Sequence, residues 1–237
     1  VGLYAQPLDG LRLGVSWTSG AKLLLPGRVS VLLPRLVAAF MVSENRVASD
    51  ARMHMDIPPA LRAGVHWDIT RWLVVRVNVE YVHWQVFRRL KITDMHFADS
   101  SGPVEALEDL DTIVQEKNYR GAVDVRAGFR FYLAPWLMLF AGGGYDTNAV
   151  PSPSTDPALY DAEKFGLAGG VWFRPVAVLE KTLGIELGKD DLLDFAVGVN
   201  WIHYLPRDVS GELLDPPLAG TYRSEVVLLN TNMVARF

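Results

Sequence analysis

The stretch Leu73-Val-Val-Arg-Val-Asn-Val-Glu-Tyr81 decides the fold class. Its odd positions, Leu73, Val75, Val77, Val79 and Tyr81, are apolar, whereas Arg76, Asn78 and Glu80 occupy even ones. Side chains alternate across a strand, so this period predicts a strand with one apolar and one polar side. A second segment sets Val123, Val125, Ala127, Phe129 and Phe131 against Arg120, Asp124, Arg126 and Arg130. Weaker versions recur around Leu11 to Trp17, Phe165 to Phe173 and Leu193 to Trp201, and helical spacing explains none of them.

Composition narrows what such strands belong to. The chain has 237 residues, 50% of them hydrophobic, with a net charge of −4 and no cysteine. The charge provides no basic field for nucleic acid. The absence of cysteine excludes a disulfide scaffold, a CxxC zinc site and a cysteine nucleophile within these residues. The longest nearly apolar run, Val29 to Val42, is interrupted by Ser30, Pro34 and Arg35. A spanning helix needs about 20 mostly apolar residues, and no such run occurs. Val1-Gly2-Leu3-Tyr4 also lacks the features of a signal peptide, so the expectation is a chain that starts after processing or belongs to something longer.

Short turns are expected at Pro7 to Gly10, Asp68 to Arg71 and Ala134-Pro135. Long polar connections are expected at about Leu33 to Asp50, Met95 to Asn118, Ala149 to Tyr160 and Pro206 to Gly220. Short turns at one end and long loops at the other predict a transmembrane antiparallel β-barrel. Val176 to Lys189 breaks this rule on the short side and could hold a small helix. A soluble β-sandwich also alternates. Against it stand the turn-free stretch from Arg71 to Thr93 and the aromatics closing the apolar faces: Trp17, Trp67, Tyr81, Trp84, Tyr119, Trp201 and Tyr204. The final alternation, Val227 through Ala235 to a terminal Phe237, resembles the signal by which outer-membrane barrels are handed to their insertion machinery.

About nine strands are expected, near 1–7, 11–31, 51–67, 71–93, 119–133, 136–148, 161–175, 191–206 and 221–237. Bacterial single-chain barrels have an even number. The expectation is therefore that residues 1–237 form the C-terminal part of one larger barrel domain, with an odd number of strands preceding Val1.

Particular residues then carry a family resemblance. The run Asp146-Thr-Asn-Ala-Val-Pro-Ser-Pro-Ser-Thr-Asp-Pro-Ala-Leu-Tyr-Asp-Ala-Glu-Lys-Phe-Gly166 resembles a loop of FadL-type outer-membrane transporters. Val79-Glu-Tyr-Val-His-Trp-Gln-Val-Phe87 resembles the same family's Tyr-x-x-Trp-Ser-x-Phe strand, with Gln85 in place of the usual Ser. Ile57-Pro-Pro-Ala-Leu-Arg-Ala-Gly64, Gly2-Leu-Tyr4 with Gly27, and Asn230-Thr-Asn-Met-Val-Ala-Arg-Phe237 follow in the family's order. The resemblance implies a fourteen-stranded barrel plugged by an N-terminal hatch, of which this chain would supply strands six to fourteen. The implied function is passive uptake of hydrophobic molecules, long-chain fatty acids or aromatic hydrocarbons, across a Gram-negative outer membrane.

Candidate ligand-binding residues follow. Leu33, Leu36, Val37, Phe40 and Met41, with Leu32, fall at the extracellular end of the strands. They either form a ligand-capture groove or pack beneath neighbouring loops. Arg76, Arg126 and Arg130 stand among the polar-face arginines Arg12, Arg62, Arg120 and Arg174, and arginine can grip a carboxylate with two parallel hydrogen bonds. The alternative is a network with Glu80 and Asp124 that fills the barrel interior. By resemblance, Lys91 sits where relatives carry a lysine near their binding region. Met138 and Phe140, inward by parity, could line an alkyl path.

Catalysis has little support in the sequence. His54, His66, His83, His96 and His203 form no HExxH or other close ligand spacing, and no GxSxG occurs. His83 and Glu80 have opposite parity. Glu105, Glu108, Asp109 and Asp111 lack EF-hand spacing and read as a solvated loop or a weak divalent contact with lipopolysaccharide. The expectation is a non-enzyme without cofactor or metal. Its partners would be hydrophobic small molecules, outer-membrane lipid with lipopolysaccharide, and the barrel-insertion machinery acting through the Phe237 strand. Two rivals remain: a structural or surface-interaction barrel that conducts nothing, and a lipid hydrolase resting on His83 and His203.

Overall fold

The computed structural model describes residues 1–32, 46–95, 111–155, 161–175, 184, 192–209 and 220–236. Its strands are β1 (Gly2–Leu8), β2 (Leu11–Thr18), β3 (Ala21–Leu32), β4 (Arg46–Ile57), β5 (Ala60–Thr70), β6 (Leu73–Val82), β7 (Arg89–Thr93), β8 (Ile113–Glu116), β9 (Ala122–Ala134), β10 (Leu137–Asp146), β11 (Lys164–Phe173), β12 (Leu192–Val209) and β13 (Gly220–Arg236). They fall into two compact units. One carries a nine-stranded sheet in the order β1-β2-β5-β6-β9-β10-β11-β12-β13, and the other a four-stranded sheet in the order β3-β4-β7-β8. Every strand pair is antiparallel. Among the described residues no helix is long and apolar enough to cross a membrane.

The nine-stranded sheet matches the expected strand number, but three expected strands are divided. The stretch 11–31 separates into β2 and β3 at Ser19-Gly20, and 51–67 into β4 and β5 at Pro58-Pro59. Proline has no N–H for the ladder. At Gly20 a Cβ would lie 2.7 Å from the Ile57 carbonyl, so only glycine fits the bend. The stretch 71–93 is interrupted by a 3₁₀ turn at Trp84–Val86, whose cap is the Phe87 N–H donating to the Trp84 carbonyl at 2.8 Å. The supposed turn-free length from Arg71 to Thr93 is therefore corrected. Freed of these extensions, β5, β6 and β10 have 11, 10 and 10 residues, and a tilted strand crosses a bilayer with about 9–11.

In the nine-stranded sheet the short connections are real. Gly10 takes φ +79° in the β1–β2 turn, a conformation that L side chains rarely adopt. In the β5–β6 turn the Trp72 and Leu73 N–H groups donate to Thr70 Oγ1 at 3.2 and 3.1 Å.

Register makes the two faces continuous from strand to strand. One row runs Leu11, Trp67, Val75, Phe129, Ala141, Gly169, Val199 and Leu229 across eight strands. Its large members stand open, with Trp67 47% and Leu229 70% exposed. In a water-soluble domain such a surface would be large and costly, whereas lipid is its natural neighbour. The strands β1 and β13 form the two edges of the sheet, which does not close on itself and is part of a barrel.

Trp17, Trp67, Tyr81 and Trp201 keep to the apolar face, as the alternation predicts. Tyr204 does not: it registers with Lys164 and Ser224 on the polar face. Trp84 and Tyr119 belong to the smaller unit, where they meet edge to face at 6.1 Å, with Phe87 5.1 Å from Tyr119.

Candidate functional site

The polar face of the nine-stranded sheet is arranged in tiers. Nearest the long connections, one register row holds Arg62, Glu80, Asp124, Asp146, Lys164 and Tyr204. Three carboxylates, Glu80, Asp124 and Asp146, stand side by side in it, flanked by Arg62 and Lys164. Arg62 pairs with Glu80 at 2.6 Å and Lys164 with Asp146 at 3.3 Å. Arg126, one tier below, donates to Asp124 and lies 3.8 Å from Asp146.

The adjoining connection is clamped over this row. Arg207 of β12, 8% exposed, donates its two Nη groups to the Asp161 and Val150 carbonyls. Asp161 Oδ2 accepts from the Ala149 N–H at 3.1 Å, and Asn148 Oδ1 accepts from the Val150 N–H at 2.7 Å. These bonds satisfy backbone groups that a buried loop would otherwise leave unpaired. Alternation does not reveal Arg207, because its role depends on two carbonyls far away in sequence.

Below the charges comes a tier with little side chain. Gly144 and Gly166 register with each other, as do Gly128 with Gly142 and Gly170 with Gly198. Gly142, Gly144 and Gly166 line a hollow of ≈ 430 Å³ whose rim includes Arg126, Lys164, Asn200 and Leu228. Close packing enforces some of these glycines. A Cβ on Gly142 would come within 2.8 Å of the Ala127 carbonyl, and one on Gly170 would run into the Phe140 ring.

Phe140 occupies the row of Val74, Arg130, Gly170 and Gly198, and Met138 the next one, with Tyr132 and Trp172. Arg174 closes this end of β11 by pairing with Asp194 at 2.9 Å. Nearer β1 stands a separate chain of polar contacts. Arg76 Nε donates to His66 Nδ1 at 2.8 Å, His66 Nε2 meets Asp68 at 3.0 Å, and Arg12 lies 3.4 Å from Asp68.

Of the residues singled out in sequence, Arg76, Arg126, Arg130, Met138 and Phe140 share this polar face. Arg12 and Arg62 do as well. Lys91 lies on β7 in the smaller unit, registered with His54 and Val114, and Arg120 belongs to that unit too. Leu33, Leu36, Val37, Phe40 and Met41 lie outside the described residues, as do Glu105, Glu108, Asp109, residues 176–183 and Phe237. Among the described histidines, His203 stands on the apolar face beside aromatic rings. It lies 5.2 Å from the Phe165 ring and pairs with Glu225 at 2.8 Å. His66 is instead a polar-face residue. Sequence reading missed Asp146, Lys164, Asp68 and Arg207; parity places the first three on the polar face.

An antiparallel sheet with one face suited to lipid and the other charged and floored with glycine is a segment of a transmembrane β-barrel. Residues 1–236 match the family described as "Outer membrane protein transport protein (OMPP1/FadL/TodX)", and the chain belongs to that family. Solved structures agree on the fold. A Pseudomonas aeruginosa FadL homologue aligns with TM-score 0.65 and 15% identity over 99% of this chain and 48% of its own. The CymD monoaromatic hydrocarbon channel aligns with TM-score 0.55 and 15% identity over 99% and 50%. The Pseudomonas putida toluene transporter TodX aligns with TM-score 0.55 and 14% identity over 98% and 47%. The chain thus spans about half the length of these relatives. No curated protein matches it.

Proposed function

We propose that the protein to which this chain contributes its nine-stranded sheet passively carries hydrophobic molecules across a bacterial outer membrane, with long-chain fatty acids as substrates. The tiered polar face carries this reading: a glycine-floored hollow rimmed by Arg126 and Lys164, with Phe140 and Met138 in the rows beyond. A fatty acid needs both a place for its carboxylate and a surface for its chain. Arg76, Arg126, Arg130 and Lys91 are the proposed headgroup residues, and Met138 and Phe140 the proposed chain-lining ones. Leu33, Leu36, Val37, Phe40 and Met41 are the proposed capture surface. No bond of the substrate is made or broken, and neither cofactor nor metal takes part. The lipid-facing rows contact the outer membrane, and the strand ending at Phe237 engages the insertion machinery.

Two neighbours are named for neutral aromatic substrates, a monoaromatic hydrocarbon channel and a toluene transporter. The decisive comparison is uptake of radiolabelled oleate and of toluene by cells with and without the full-length gene. Faster oleate uptake with the gene supports the reading. Faster uptake of toluene alone moves the substrate to neutral hydrocarbons, and no change in either compound refutes transport.

A further inference from the structure

The charged residues near β1 differ from those beside Lys164 in one respect. Arg12, His66 and Arg76 stand in a single register row on the three adjacent strands β2, β5 and β6. A guanidinium N–H can only donate, so His66 Nδ1 is the acceptor of the 2.8 Å bond from Arg76 Nε. The ring proton is then on Nε2, which donates to Asp68 Oδ1 at 3.0 Å. The other Asp68 oxygen lies 3.4 Å from Arg12. Arg12 thus meets the carboxylate directly and Arg76 only through the ring, and among the described residues of this group two guanidinium charges stand against one carboxylate. Both Nη groups of Arg76 lie outside this chain of bonds.

Arg12, His66 and Arg76 border a hollow of ≈ 390 Å³ that Tyr4, Gly14, Gly64 and Asn78 also line. Gly14 is informative here. A Cβ at that position would meet only the Leu3 carbonyl, at 4.0 Å, so packing does not demand glycine. A larger side chain there would instead take up the space in front of the arginines. Gly64 differs, because its Cβ would strike Asn78 Oδ1 at 2.7 Å.

We propose that Arg12 and Arg76, held by His66 and Asp68 over the Gly14 floor, form a carboxylate subsite at the short-turn end of the polar face. Its ligand is the headgroup of an amphiphilic acid. The two guanidinium groups start from strands about 10 Å apart, a span that their long side chains can close around one carboxylate. The site deepens the transport reading, on which its biological use rests, by giving the acid's headgroup a place at the short-turn end.

The test is calorimetric binding of laurate and of dodecan-1-ol to the purified full-length protein in detergent. The same chain length with and without a charge isolates the headgroup. The expected result is that R12Q/R76Q weakens laurate about 10-fold or more and leaves dodecanol within 2-fold. Gly14→Val removes no charge and is expected to weaken laurate similarly by filling the hollow. An unchanged heat-induced shift in gel mobility reports that each variant keeps its barrel. The proposal is overturned if R12Q/R76Q binds laurate within 2-fold of the parent, or if only R126Q/K164Q loses the preference for the acid. Oleate uptake is a separate readout. A protein that imports no oleate yet loses laurate binding in R12Q/R76Q refutes the transport reading and supports the subsite.

Discussion

The two charged ends of the polar face solve opposite problems. Near the long connections, Arg62, Arg126 and Lys164 face Glu80, Asp124, Asp146 and Asp161, and each cation has a carboxylate within 4 Å. Near the short turns, Arg12 meets Asp68 directly, and Arg76 is tied to the same carboxylate through His66. The first arrangement sets four carboxylates around three cations and holds strands and a connection together, so Arg126 and Lys164 meet a headgroup only in competition with those carboxylates. The second keeps a surplus charge beside open space. A row of arginines in the sequence thus covers two roles, which only their neighbours across strands distinguish.

Substitutions at the two ends should therefore separate stability from ligand choice. The largest stability effect is expected at Arg207. Its replacement by Ala removes two charge-assisted bonds of ~1.5–3 kcal/mol each and leaves the Val150 and Asp161 carbonyls without that donor. Limited trypsin digestion should then cut rapidly at Lys164, while laurate binding through Arg12 and Arg76 persists. At the other end, R12Q/R76Q should abolish the preference for acid over alcohol with little change in the thermal midpoint. Equal loss of stability in both variants would erase the distinction.

A smaller effect is expected where neither end is involved. Gly198→Ala puts a Cβ 3.1 Å from Phe140 Cζ and should cost ~1–3 kcal/mol through overpacking. Adding Phe140→Ala should recover part of that loss in a double-mutant cycle; purely additive costs would show that the ring is not the obstacle. The smallest effect belongs to the half-exposed Arg62–Glu80 pair, where Arg62→Gln should change stability by only ~0.2–1 kcal/mol in urea unfolding.

Face assignment is legible in the sequence because a strand's side-chain period is two and a one-residue slip would invert it. Leu73 to Tyr81 therefore places Arg76, Asn78 and Glu80 on one side by parity alone. Phe140 and Met138 follow by the same parity. The break after Val82 is not legible, since His83 to Phe87 carries neither glycine nor proline. The breaks at Gly20 and Pro58-Pro59 are marked by residue type but spanned by continuing alternation. Lys91 rests on resemblance alone, and its strand lies in the smaller sheet. The His66–Asp68–Arg12 contacts are hidden for a different reason. His66 and Asp68 share one face of β5 by parity, but Arg12–Asp68 and Arg76–His66 join residues across strands, where register fixes which residues meet.

The central claim is that neighbouring residues of β6 face different solvents, lipid on one side and the transport lumen on the other. These 237 residues contain no cysteine, so single cysteines at Val77 and Asn78, with any cysteine elsewhere in the full-length protein replaced, can each carry a nitroxide label in the membrane-embedded protein. Position 77 should be relaxed by oxygen dissolved in lipid and shielded from a water-soluble nickel chelate, with the opposite pattern at position 78. Chelate access at both positions, or the reversed pattern, would contradict the assignment of the apolar face to lipid and of the arginine face to the lumen.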